Sequence, residues 1–254
     1  MIRPGIASVT FRKHSVEQIV DYAYRAGLAA VEWGGDVHVP AGNIDAAGEA
    51  RVLTKSAGLD VASYGSYYRV GCGGDFGAVA ETAKALGAPM IRVWAGDRGS
   101  DKADAAWWET VVDDTRRIAD IAGLAGSRLG FEFHGNTLTD TAQSAQHLLE
   151  RIDGTRVSTY WQTPLTLTPE ACMNSLEQVS PWLSNLHVFH YEDGGRSALE
   201  RGADQWRRYL AHATALGGDR YALLEFVEGD EPDNLMRDAG ALNALLAELA
   251  SDSE

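Results

Sequence analysis

Two glutamates and a histidine stand at the ends of apolar segments in the second half of this sequence: Glu132, His190 and Glu225. An unpaired buried carboxylate is costly, so a glutamate directly after an apolar strand is seldom a core residue. In an α/β barrel, the carboxyl ends of all strands meet at the active-site face. Two carboxylates and an imidazole at that face can hold a divalent metal beside a pair of acid/base groups. We therefore predict a metal-assisted proton-transfer site with Glu132 and Glu225 as catalytic residues.

The predicted strand that ends at His190 contains a second histidine, His187. Side chains alternate across a strand, so Leu186, Val188 and His190 share one face, while His187 and Phe189 share the other. Only one histidine faces the barrel if the strand is regular. We predict that His190 is the inward residue and keep His187 as the alternative.

Helices that end at glycine or another small residue, each followed by an apolar strand, recur along the chain. Glycine after a helix takes the left-handed conformation that ends it, and the apolar run that follows suits a strand buried on both faces. We predict strands at about 5–9, 29–33, 60–64, 90–94, 128–132, 157–161, 185–190 and 221–225. We predict helices at about 15–26, 43–57, 74–86, 102–124, 139–152, 169–179, 203–216 and 231–250.

Eight strand–helix units indicate an α/β protein, a (β/α)8 TIM barrel that forms a single domain over residues 1–254, with a frayed tail at 251–254. The alternative is an open doubly wound sheet. That fold usually carries a G-x-G-x-x-G loop after its first strand, and none follows the first predicted strand here.

Composition narrows the classes of partner. The formal charge of −14 and pI of about 4.9 argue against nucleic-acid and membrane partners. Two cysteines, Cys72 and Cys172, cannot form a disulfide framework. The first residues lack the apolar core of a signal peptide, so we expect a soluble, cytoplasmic protein.

At this point the motifs resemble a known family. The segment from His190 to Arg196 reproduces the spacing between the ligand histidine and a substrate-binding arginine in ketose 3-epimerases, and the spacing from His190 to Glu225 also fits them. Residues 132–135, Glu-Phe-His-Gly, resemble the E-x-H segment that follows strand five in relatives. The chain thus resembles the sugar isomerase/epimerase superfamily of xylose isomerase-like TIM barrels.

The resemblance implies a metal bound by Glu, Asp, His and Glu from strands five to eight, with Mn²⁺, Mg²⁺ or Co²⁺ as the ion and Zn²⁺ as a further candidate. Gln162 stands nearest the Asp position here, and Leu165 replaces the histidine that usually follows. The implied ligand set is Glu132, Gln162, His190 and Glu225. An amide oxygen can coordinate a hard cation but carries no charge, so we expect weaker metal affinity than with three carboxylates, or an altered reaction.

Other polar and aromatic residues at strand ends are candidates for the substrate pocket, because aromatic walls with a few convergent polar groups suit a sugar. Arg69 and Arg196 are the candidates for a phosphate or carboxylate, although either could equally form a surface ion pair. The candidate substrate-binding residues are Arg196, His134, Arg69, Tyr64, Glu32, His38, Arg92 and Trp94.

These features together predict a metal-dependent isomerase or epimerase that acts on a sugar, or a sugar-derived polyol or keto acid, through an enediolate. One alternative is a dehydratase of the same superfamily, which begins with the same proton abstraction. Another is a non-catalytic sugar-binding barrel, which the Gln162 substitution makes plausible. An endonuclease IV-like phosphodiesterase is disfavoured by seven scattered histidines and the acidic charge. The expected partner is a small sugar or sugar derivative, and the resemblance also allows a homo-oligomer.

Overall fold

The computed structural model describes residues 1–152, 154 and 156–251, and within them eight parallel strands close into a barrel. The barrel strands are β1 (Ile2–Ala7), β2 (Ala30–Gly34), β3 (Asp60–Arg69), β4 (Met90–Trp94), β5 (Arg128–Phe131), β6 (Val157–Trp161), β7 (Leu183–Val188) and β10 (Arg220–Leu224). Strand β10 pairs with both β7 and β1, which closes the sheet. The predicted fold class is confirmed.

A helix follows each barrel strand and packs on the outside of the barrel. The helices are α1 (Val16–Arg25), α2 (Ile44–Ser56), α3 (Phe76–Leu86), α4 (Ala105–Leu124), α5 (Ala142–Ile152), α6 (Pro169–Val179), α7 (Ala203–Ala215) and α8 (Pro232–Ser251). Local signals explain their limits. Ser15 and Gln18 form a reciprocal capping box at the start of α1, and Gly87 ends α3 with φ of 72°. Of the predicted frayed tail, Ser251 ends α8 and residues 252–254 lie outside the described residues.

Two short strands, β8 (His190–Glu192) and β9 (Gly195–Ser197), form an antiparallel hairpin in the loop after β7. From the sequence, this strand was predicted to run to residue 190 and no hairpin was predicted, whereas β7 ends at Val188. Its turn consists of Asp193 and Gly194, both with positive φ (53° and 77°), which matches the twist of a two-residue hairpin. Residues 190–197 therefore lie outside the barrel wall.

The barrel is filled differently at its two ends. At the amino-terminal end, a small apolar cluster plugs the interior, formed by Ala30, Ala62, Met90, Tyr160 and Leu223 with Tyr221 against it. Glycine is required at position 130, because a Cβ there would lie 2.8 Å from both Met90 Sδ and a Tyr160 ring carbon. Polar side chains occupy the interior above this plug. Among the described residues, no helix is both long and apolar enough to cross a membrane.

Candidate metal and acid–base site

Three buried side chains from different strands meet at the carboxyl-terminal face of the barrel. Glu132 follows β5, His187 lies near the end of β7, and Glu225 follows β10. One carboxylate oxygen or ring nitrogen from each lies within 4.8 Å of the corresponding atoms of the other two. His187 Nδ1 is 3.3 Å from Glu225 Oε2. These distances fit ligands that converge on one cation.

The inward histidine is His187, and the choice of His190 is corrected. His187 is fully buried inside the barrel, whereas Leu186 and Val188 point outward into the apolar layer beneath the helices. Asn185, two residues before His187, also points inward and donates to the Tyr160 hydroxyl at 3.1 Å. Asn185 and His187 share a face of the strand. The polar Asn185 was therefore the signal in the sequence that could have identified His187 as the inward histidine.

His190 lies apart from the two glutamates, on the β8–β9 hairpin. Its ring packs against Gly202, and the half-buried setting lowers its pKa. It does not line the cavity that holds Glu132 and Glu225. The spacing from residue 190 to Arg196 and Glu225 therefore does not identify the histidine at the centre of this barrel.

Gln162 follows β6 and does reach the cluster. Its Oε1 lies 3.0 Å from His187 Nδ1, the same ring nitrogen that faces Glu225. Two carboxylates, one imidazole nitrogen and one amide oxygen form a donor set that a hard or borderline divalent cation accepts. The residues present thus fit a divalent metal with two negative charges among its ligands.

Below the cluster, Arg92 and Glu32 form a buried ion pair. Arg92 Nε donates to Glu32 Oε1 at 2.9 Å, and the same guanidinium contacts the Glu132 carboxylate. Glu32 Oε1 also lies 3.2 Å from His187 Nε2, and Glu32 Oε2 accepts from Ser63 Oγ at 2.6 Å. Glu32 was predicted to bind substrate, but its side chain is 1% exposed and does not line the cavity.

The protonation of this cluster follows from its buried charges. Burial opposes a charge on His187, but the carboxylates of Glu225 and Glu32 outweigh it and raise the pKa of His187 to about 9. Burial would raise the pKa of Glu32, yet Arg92 and His187 hold it well below its ordinary value. Burial acts in the same direction on Glu225, and His187 with Arg92 lowers its pKa. Without a metal, His187 is therefore protonated, and Nδ1 must lose a proton to bind one.

A cavity of about 510 Å³ opens above the cluster, a size that suits a small molecule. Its wall includes Glu132, Glu225, Gln162, Arg92, Trp94 and His134. The Trp94 indole N–H donates to the Glu132 carboxylate, and its ring stacks on His134 with centroids 5.0 Å apart. Of the predicted substrate-binding residues, Arg92, Trp94 and His134 thus lie in the cavity wall.

Comparison with known proteins identifies the family. Residues 20–244 match the family described as xylose isomerase-like TIM barrel. The chain belongs to this family. The resemblance predicted from the motifs is thereby confirmed, although one motif was anchored on the wrong histidine.

Relatives of this xylose isomerase-like barrel catalyse different reactions. The curated 3-dehydroshikimate dehydratase of Bacillus anthracis is 23% identical over 200 residues, which cover 72% of this chain and 70% of that protein. A crystal structure of a probable 3-DHS dehydratase from Bacillus anthracis matches with a TM-score of 0.80 and 20% identity, covering 95% of this chain and 99% of that one. D-psicose 3-epimerase from Clostridium cellulolyticum H10, solved with D-tagatose, matches with a TM-score of 0.71 and 15% identity, covering 98% and 99%. At these identities the matched structures establish the fold and not the reaction.

Two predicted substrate-binding residues lie outside the cavity of this barrel. Tyr64 is fully buried on the outer side of β3, where its hydroxyl donates to the Val39 carbonyl at 2.9 Å. His38 is buried, and its Nε2 faces the His14 carbonyl at 3.0 Å. Their predicted positions at strand ends did not reveal that both side chains lie away from the cavity.

Arg69 and Arg196 also lie outside the cavity wall, where each packs against an aromatic residue that lines the cavity. The Arg69 guanidinium lies 4.1 Å from the Trp94 ring centroid, and that of Arg196 lies 4.1 Å from the Phe226 ring centroid. Arg196 also pairs with Asp230. Both arginines thus support aromatic walls, and the predicted contact with a substrate anion is not supported by their positions.

Arg12 and Tyr67 are among the cavity residues that were not predicted from the sequence. Arg12 reaches the cavity from the loop after β1, where its Nε donates to Asp36 at 2.5 Å and a terminal nitrogen lies 3.2 Å from the Tyr67 hydroxyl. Tyr67 reaches it through a left-handed backbone, with φ of 58°. The position of Arg12 after the first strand was a usable signal, whereas nothing local in the sequence marks the conformation of Tyr67.

Proposed function

We propose that this protein is a metal-dependent isomerase or epimerase that transfers a proton at a carbon next to a carbonyl group in a sugar or sugar derivative. The observation that carries the proposal is the convergence of Glu132, His187 and Glu225 within 4.8 Å at a cavity. These three residues, with Gln162, would hold the cation. A divalent cation bound there supplies electrostatic stabilisation for the negative charge that develops on the carbonyl oxygen.

The two glutamates suit a pair of proton-transfer steps. Strands β5 and β10 are separated by β6 and β7 around the barrel, so Glu132 and Glu225 approach the cavity from different sides. One would remove the proton next to the carbonyl, and the other would return a proton to the neighbouring carbon or to the opposite face. Arg92 and Trp94 hold the Glu132 carboxylate through charge-assisted hydrogen bonds, which fixes its direction before the substrate arrives.

A dehydratase is the second candidate, favoured by the similarity to the Bacillus anthracis 3-dehydroshikimate dehydratase. That reaction would begin with the same abstraction of a proton next to a carbonyl. The hydroxyl on the following carbon would then leave as water and a double bond would form, so a conjugated product would accumulate. Both candidates therefore need Glu132 and Glu225, and they differ in the fate of the substrate.

One assay separates the candidates. Purified protein loaded with Mn²⁺ or Mg²⁺ is incubated in D₂O with a panel of ketoses, inosose and 3-dehydroshikimate, while NMR follows deuterium uptake and ultraviolet absorbance follows conjugated products. An isomerase or epimerase interconverts a sugar with deuterium at the reacting carbon. A dehydratase produces a new ultraviolet absorbance band, distinct from that of the starting compound, which for 3-dehydroshikimate already contains an enone.

Matched variants test the roles of the two glutamates. Glu132→Gln and Glu225→Gln should each abolish turnover, whereas the same change at Glu49, exposed on α2, should leave it intact. Sugar binding that persists in chelator, without deuterium exchange or product from any compound of the panel, would instead support a non-catalytic barrel.

A further inference from the structure

We infer that Glu32 is a positioning residue for the metal site: it fixes the tautomer of His187 so that the Nδ1 lone pair faces Glu132, Gln162 and Glu225. The inference rests on the proposed function, because it assumes that these residues bind a cation. Glu32 itself lies outside the cavity wall, so it acts through His187 and not by touching a substrate.

The first support is the set of partners around Glu32. One carboxylate oxygen, Oε1, accepts from Arg92 Nε at 2.9 Å and faces His187 Nε2 at 3.2 Å. The other, Oε2, accepts from Ser63 Oγ at 2.6 Å. A carboxylate with 1% exposure is costly unless it is paired and hydrogen-bonded. The side chains of Arg92, His187 and Ser63 supply this pairing, which points to an internal anchor.

The second support is the direction of the His187 ring. Its Nε2 faces Glu32, while its Nδ1 lies 3.0 Å from Gln162 Oε1 and 3.3 Å from Glu225 Oε2. An ionised carboxylate only accepts hydrogen bonds, so it keeps a proton on the ring nitrogen that faces it. In the neutral ring this leaves the lone pair on Nδ1, toward the other ligands. Metal-bound histidines usually have such a partner on the second nitrogen.

The third support is a local irregularity that places the anchor. Strands β2 and β3 pair Val31 with Val61 but Glu32 with Ser63, so Ala62 is an extra residue in β3. Such a bulge redirects side chains. Ala62 packs into the apolar plug, and Ser63 is thereby placed to donate to Glu32. If β2 and β3 paired regularly, the neighbouring residues Ala62 and Ser63 could not make these two contacts, Ala62 with the plug and Ser63 with Glu32.

The test measures metal affinity and the histidine tautomer, not only activity. Glu32→Gln keeps the shape of the side chain, but its amide NH₂ can donate to His187 Nε2 and so move the ring proton to Nδ1. We expect Mn²⁺ affinity, measured from the electron paramagnetic resonance of free Mn²⁺, to fall roughly 10- to 100-fold. Ser63→Ala is the matched control, because it removes one hydrogen bond and leaves the carboxylate in place. It should retain most of the affinity.

Long-range ¹H–¹⁵N NMR of the Mg²⁺-loaded wild type gives a readout that needs no variant. We expect His187 as the Nε2–H tautomer. Detection of the Nδ1–H tautomer in the wild type, or equal Mn²⁺ affinity in wild type and a folded Glu32→Gln variant, would overturn the inference. A wild type that takes up no divalent metal would instead overturn the proposed function on which the inference rests.

Discussion

His187 Nδ1 lies 3.3 Å from Glu225 Oε2, and the two residues are carried by strands that are hydrogen-bonded neighbours, with His187 opposite Leu223. From the sequence, His190 was predicted to be the histidine at this position. We expect His187→Asn to remove measurable Mn²⁺ binding and His190→Asn to leave it nearly unchanged, because only the first loses a ring nitrogen at the cluster. Isothermal titration calorimetry on both variants measures this difference, and the opposite ranking would return the ligand role to His190.

The metal-free protein should lose stability as the pH rises from about 6.5 to 9. Burial opposes the charge on His187, but Glu225 and Glu32 raise its pKa to about 9, above the ordinary value of about 6.5 in the unfolded chain. A raised pKa contributes stability that is complete below the unfolded value and disappears as the pH passes the folded value. The pKa values of Glu32 and Glu225 are lowered, so their contributions stay constant across this window.

The loss should be on the order of 3 kcal/mol at most, measured by urea unfolding in chelator at several pH values. His187→Asn serves as the reference, because it removes the titrating group. A wild-type profile as flat as that of the variant would contradict the charge assignment.

Replacing Gln162 by glutamate, which keeps the length of the side chain, should strengthen metal binding. The amide oxygen faces His187 Nδ1 at 3.0 Å, and a carboxylate in its place adds a third negative charge to the set. We expect affinity for Mn²⁺ to rise about tenfold or more, which corresponds to roughly 1.4 kcal/mol. Gln162→Ala should lower it. If Gln162→Ala binds Mn²⁺ like the wild type, the amide is not a ligand.

Trp94→Phe should reduce turnover with little change in substrate affinity. The change keeps an aromatic wall beside His134 but removes the indole N–H that donates to Glu132. Loss of one hydrogen bond to a charged group corresponds to about 1.5–3 kcal/mol, so kcat should fall roughly 10- to 100-fold. Steady-state kinetics on the substrate found in the panel check this expectation. A change confined to KM would show that Trp94 binds substrate and does not orient the carboxylate.

Gly130→Ala should destabilise the barrel by about 1–3 kcal/mol, because its Cβ would overlap Met90 and Tyr160 in the apolar plug. Gly48→Ala is the matched control. It lies within α2 with no atom near the added carbon, and should stabilise the protein by about 0.5–1 kcal/mol. Urea midpoints compare the two, and equal effects would contradict the packing described for residue 130.

The sequence predicted the order and approximate limits of the barrel elements because their signals are local. A glycine such as Gly87 ends a helix through its own backbone, and the apolar run of β4 was predicted with the bounds that the structure has. The alternation of side chains likewise separated His187 from His190. Alternation defines two faces of a strand, however, and does not say which face is inside.

Residues with long or aromatic side chains were the least predictable part of the site. Arg69 and Arg196 were predicted to follow strands at suitable positions, yet each lies on an aromatic ring contributed by another part of the chain. Tyr64 turned outward for a hydrogen bond to Val39. Glu32 was predicted to bind substrate, but it lies within β2, and its partners come from three other strands. Such contacts depend on tertiary neighbours that no local pattern encodes.

The apolar plug around Met90, Tyr160 and Leu223 closes the interior of the barrel beneath the reacting groups. Reactant and product would consequently share a single entrance at the opposite end. The product must leave before the next reactant molecule can enter. We therefore expect the product to be a competitive inhibitor of the reactant.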